Sequence, residues 1–162
     1  MLTNKKSIGF TLIELLVVIA IFVLIANITM ISLNKAKMES RDVKRVSDIN
    51  QLRSALHLYS TENLSYPQGT DFALGTDNHL VLGSDVGDWT TTTVAPVFMY
   101  NVPRDPSMIN ALTSSTCTPT SDSVCDYSYT LNGNDFINYF FLEGGVGNLD
   151  AGLHFTTKDE IH

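Results

Sequence analysis

A chain of 162 residues carrying ten basic and seventeen acidic side chains, formal charge −7, has room for one membrane segment and one domain of ordinary size, but not for a second independent soluble domain. The acidic balance argues against nonspecific nucleic-acid binding, which depends on a basic surface, so no specific nucleic-acid partner is expected.

The chain begins with a short basic stretch, Lys5 and Lys6, followed by Gly9 and then an apolar run from Phe10 to Ala26 that contains a single charge, Glu14. A carboxylate inside an apolar spanning helix costs roughly 2.5–3.5 kcal/mol on insertion scales, so it needs a partner or a function. No Lys, Arg or His lies between Ser7 and Asn34 to serve as that partner. Cutting after Gly9 supplies a cation, because it creates an α-amino group on Phe10 and places Glu14 in the first turn of a new helix. A helix N-terminus favours a negative group by about 0.3–1 kcal/mol. In an assembly, Glu14 of one subunit can then pair with the Phe10 amine of a neighbour.

Two simpler readings fit less well. A secretory signal is cut beyond its apolar region near small residues, and Ala26-Asn27-Ile28 is a poor site of that kind. A plain single-span anchor leaves both Glu14 and the Gly9-Phe10 junction without a reason.

Lys5-Lys6-Ser7-Ile8-Gly9-Phe10-Thr11-Leu12-Ile13-Glu14 resembles the processing site of type IV pilins and type II secretion pseudopilins, with Ser7-Ile8 where a basic residue usually precedes the glycine. The resemblance implies a leader, residues 1–9, removed by prepilin peptidase after Gly9. It also implies N-methylation of Phe10 and a docking role for Glu14 as the fifth mature residue. The implied partners are the lipid bilayer, other copies or related pilins in a helical filament, the prepilin peptidase/methyltransferase, and an inner-membrane assembly platform with its ATPase. Loss of residues 1–9 with Lys5 and Lys6 takes the formal charge from −7 to −9.

Lys5 and Lys6 beside the apolar run hold the N-terminus in the cytoplasm by the positive-inside bias. The expected location is therefore the cytoplasmic (inner) membrane in a single pass with the head outside, and later a surface pilus or an extracytoplasmic pseudopilus.

No Gly or Pro occurs from Phe10 through Tyr66, which predicts one long helix to about Asn63. At 1.5 Å per residue this spans roughly 80 Å, against a hydrocarbon core of ~30 Å. Residues 10–33 are assigned to the membrane and filament core, and residues 34–63 to an amphipathic extension belonging to the head. In that extension Val43, Val46, Ile49, Leu52, Leu56 and Tyr59 recur at three- and four-residue spacing and form the core stripe. Asp42, Lys44, Arg45, Asp48 and Arg53 are expected on the solvated face.

Pro67 ends the helix and biases Tyr66 toward extended structure. Residues 68–95 read as an irregular connector pinned by Phe72 and Trp89. Pro103-Arg104-Asp105-Pro106, Leu56-x-x-Tyr59 and Tyr66-Pro67 are similar to segments of pilin and pseudopilin heads, and the proline spacing suits a rigid structural loop.

Cys117 and Cys125, outside the cytoplasm, are most simply a disulfide closing a small loop, with free thiols or a metal pair as the alternatives. Tyr127, Tyr129 and Leu131 alternate, Asn132-Gly133 signals a hairpin, and residues 136–142 supply the return strand. A flexible turn over residues 143–148 precedes a short strand near 153–157. The fold class expected is α+β: a long N-terminal helix packed on a small antiparallel sheet, with residues 64–162 as a globular pilin-like head.

Gly144-Gly145-Val146-Gly147 lacks the Gly-Lys-Ser/Thr ending of a phosphate loop, and no ordered triad spacing stands out, so no catalytic residue and no enzymatic activity are expected. The histidines lack zinc-ligand spacing, and no metal site is assigned. Calcium, which the resemblance implies for major pseudopilins near the carboxy-terminal loop, finds only Asn148 and Asp150 there, or Asp122 and Asp126 in the cysteine loop. No cofactor is assigned on that sparse ligand set.

The resulting function is a noncatalytic filament subunit. Its alternatives are an anchored extracellular binding, adhesion or DNA-uptake module that does not polymerise, and a secreted enzyme with an unusual signal.

Overall fold

The computed structural model describes residues 9–76, 79–83, 88–93, 95–109 and 115–162. Residues 1–8 of the expected leader, including Lys5 and Lys6, lie outside the described residues. The chain divides into two compact units, Met1–Lys37 and Met38–His162.

Helix α1 runs over Leu12–Asn63. Its continuity follows from the absence of Gly and Pro over this stretch. It starts two residues later than Phe10 because Thr11 acts as the cap. It ends with Leu64 in the left-handed region (φ 59°), whose N–H reaches the Ser60 carbonyl at 2.9 Å. That is the usual way to close a helix, although Gly or Asn is the usual residue there. Pro67 then prevents resumption.

In the first unit every residue from Gly9 to Lys37 is exposed. The most apolar window of the helix has a mean hydropathy of 2.8 and no buried residue. An all-round apolar surface of that kind needs lipid or other helices around it.

In the second unit α1 contributes Ile49, Leu52 and Leu56, all fully buried, with Tyr59 close behind. A four-stranded antiparallel sheet has the order β1 (Phe72–Ala73), β5 (Ser128–Asn132), β6 (Asp135–Leu142), β7 (Gly152–Thr156). A smaller antiparallel sheet has β2 (Val81–Gly83) between β3 (Trp89–Thr90) and β4 (Val97–Met99).

Strand β6 alternates strictly, burying Phe136, Asn138, Phe140 and Leu142. That period of two turns its apolar side chains toward the helix stripe. The same core includes Leu74, Leu82, Val102, Tyr127 and Tyr129. Each buried aliphatic or aromatic side chain contributes about 1.5–3 kcal/mol relative to exposure.

The hairpin joining β5 and β6 pairs Asn132 with Asp135, leaving Gly133-Asn134 as a two-residue loop. Gly133 takes the positive φ (62°) that the first position of such a loop demands.

Three expectations are corrected. The connector over residues 68–95 contains β1, β2 and β3 rather than being irregular throughout. Phe72 and Trp89 do pack on the core as plugs. Val43, placed in the core stripe, is half exposed at 51%. The face expected to be solvated is in part buried: Asp42 and Arg45 are fully enclosed and Asp48 nearly so. Charge is tolerated inside because each group meets an opposite charge or a line of N–H donors.

Candidate assembly site

Thr11 precedes α1 and its Oγ1 accepts the Glu14 backbone N–H at 3.3 Å. Its carbonyl accepts the Leu15 N–H at 3.2 Å. The Thr11 hydroxyl also lies 3.5 Å from Glu14 Oε2. Thr-x-x-Glu is the sequence signature of a capping box, and this is its first half. The Glu14 carboxylate therefore stands at the positive end of the helix, where orphan N–H groups favour an anion. Phe10 is 73% exposed and Gly9 is exposed, both before the helix. Thr11-x-x-Glu14 is a local sequence signal for this cap.

The second constellation is buried and absent from the expectations. Arg45 Nε and Nη2 grip the two Asp105 oxygens at 2.6 and 3.1 Å. Its Nη1 reaches Asp42 at 2.6 Å and Glu143 at 2.8 Å. Arg41 makes a bidentate pair with Glu143 at 2.8 and 2.5 Å. Asp42 also accepts three successive backbone N–H groups, from Glu143 (2.9 Å) on the oxygen that faces Arg45 and from Gly144 (2.7 Å) and Gly145 (3.1 Å) on the other.

Gly145 has φ 85°, and a methyl group there would sit 2.5 Å from the Leu149 carbonyl, so the loop requires glycine. Desolvation opposes the charge on Arg45, yet its hydrogen bonds to Asp105, Glu143 and Asp42 outweigh that and raise its proton affinity above the usual arginine range. The hydrogen bond from Arg41 holds the Glu143 carboxyl down at about 2, with burial opposing and Arg45 assisting. Burial pushes the Tyr127 hydroxyl well above the usual tyrosine range.

The proline loop contributes to two of the ion pairs. Asp105 binds Arg45, while Arg104 pairs with Asp126 at 2.7 and 3.0 Å. Cys117 and Cys125 form a disulfide with a Cα separation of 5.0 Å.

The candidate calcium residues differ in their surroundings. Asp126 is buried and committed to Arg104, while Asp122, Asn148 and Asp150 are exposed. The loop after β6 aims N–H groups inward at Asp42, whereas calcium needs 6–8 oxygen ligands. Among the described residues, no three His, Cys, Asp or Glu side chains are grouped to hold a metal.

Comparison with known proteins bears on the N-terminal site. Residues 4–26 match the prokaryotic N-terminal methylation motif. The sequence is also similar to the type II secretion system core protein G of Aeromonas hydrophila, 38% identical over 71 residues, covering 42% of this chain and 50% of the relative. The corresponding protein of Escherichia coli is 39% identical over 67 residues, 41% of this chain and 46% of the relative. That of Vibrio cholerae is 36% identical over 63 residues, 39% and 43% respectively. Each match spans about half the relative's length or less. No solved structure gives a significant match.

The methylation motif covers Gly9, Phe10, Thr11 and Glu14, so the cap described above lies inside it. Together with the long helix on antiparallel sheets, it supports a pilin or pseudopilin subunit of α+β, pilin-like fold.

Proposed function

We propose that this protein is a noncatalytic structural subunit of a type IV pilus or pseudopilus. It is held in the inner membrane, cleaved after Gly9, methylated on Phe10 and drawn into a helical filament. The observation that carries the reading is an apolar helical stretch, residues 12–33, exposed on all sides, whose one charge, Glu14, sits in the first turn within the methylation motif.

A group in that position is poised to receive a neighbouring Phe10 amine, and heterologous contacts that do not close into a ring propagate as filaments. Residues 10–33 form the shared core of the filament, residues 34–63 belong to the head, and residues 64–162 complete it. Prepilin peptidase, an assembly platform and its ATPase are the partners this cycle requires. Similarity to type II secretion system core protein G favours the pseudopilus form.

Mass spectrometry of the mature chain tests the processing step. Phe10 is expected as the first residue, carrying one added methyl group. A mature chain starting at Met1 or beyond Ala26 contradicts it.

A further inference from the structure

We propose that Arg45 is a built-in cation of the head, pinning the loop after β6 through Asp42 and Glu143, so that this loop needs no divalent ion. The guanidinium has five N–H donors in a rigid fork. Four make hydrogen bonds, two to Asp105, one to Asp42 and one to Ser107 Oγ at 2.8 Å, and Nη1 also pairs with the Glu143 carboxylate at 2.8 Å. Arg45 is fully buried, as are Asp42 and Asp105, so these contacts act away from solvent screening.

The network ties three stretches distant in sequence: α1, the loop holding Asp105 and Ser107, and the loop starting at Glu143. Asp42 is the link to the backbone, since it shares one oxygen between Arg45 and the Glu143 N–H and gives the other to Gly144 and Gly145. The guanidinium beside Asp42 orients that carboxylate for the three amides.

The polarity of the loop is opposite to that of a calcium site. Its amides converge on an anion. The carbonyls of Val146 and Leu149 are each engaged by the other residue's N–H, and the Asp150 carbonyl lies 2.8 Å from His154 Nε2. A divalent ion would have to strip these bonds and displace a guanidinium already matched to its acceptors.

The test uses full-length mature protein in detergent micelles, with thermal unfolding and amide exchange at Gly144 and Gly145 measured in calcium chloride and in EGTA. The wild-type melting temperature is expected to be the same in both, with the two amides protected in both. Arg45→Lys, which keeps the charge but loses the fork, is expected to speed exchange of those amides at least about tenfold with or without calcium.

Asp105→Asn, the milder change, should speed them in the same direction and serves if Arg45→Lys does not fold. A wild-type melting temperature that rises with calcium and falls with EGTA overturns the proposal. So does unchanged protection of Gly144 and Gly145 in the folded variants.

Discussion

At Glu143 a lowered proton affinity becomes a statement about stability. The folded-state pKa of about 2 lies below the ordinary 4.5, because Arg41 and Arg45 favour the ionised form. The resulting stabilisation is fully present above the unfolded value and is lost as pH falls from about 4.5 toward 2. Urea unfolding across that interval is expected to show the loss, and Glu143→Gln to flatten the slope. Equal slopes in the two proteins would remove Glu143 from the account.

Asn138 presents the opposite case. It is fully buried on the core face of β6, and neither end of its amide has a protein partner. Unsatisfied buried groups cost about 1–3 kcal/mol, so Asn138→Leu is expected to raise the melting temperature. A fall would mean that the amide is satisfied by an internal water.

Among the elements, the cysteine loop is held by a disulfide across a sequence separation of 8. A chain-entropy account gives a closure of that length about 2–3 kcal/mol, so reduction is expected to lower unfolding stability by that amount. Nonreducing peptide mapping of protein recovered from outside the cytoplasm should recover Cys117 linked to Cys125. Free thiols there would contradict the arrangement.

The elements also show where sequence patterns carry information and where they do not. The hairpin of β5 and β6 was legible because alternation and a Gly133 turn are local features, and the long helix because nothing interrupts it. Strands β1 and β3 are two residues each, too short to display a period. Arg45 read as a solvated charge because its main partner, Asp105, lies 60 residues away. Helical periodicity can say that a residue shares a face with other charges, but not that a distant loop will cover that face. Thr11 is the reverse case, since its capping signal is local, in Thr11-x-x-Glu14.

At the scale of the whole molecule, the apolar stretch of α1 and its one carboxylate decide what the protein can do. The head is held together by its core, its ion network and its disulfide, whereas residues 9–37 are exposed throughout. Removing the carboxylate relieves an insertion penalty of about 2.5–3.5 kcal/mol, so membrane residence should not suffer. The Thr11 contact to the Glu14 backbone N–H does not involve that carboxylate, so the main cap survives the change. Under the proposed function, the change removes the anionic partner for a neighbour's Phe10 amine, and the defect should therefore appear at assembly.

The most direct measurement is the amount of filament sheared from cells expressing Glu14→Leu, normalised to membrane-inserted, folded subunit. The account predicts filament abolished or severely reduced at unchanged membrane content. Filament as abundant as that of the wild type would contradict it.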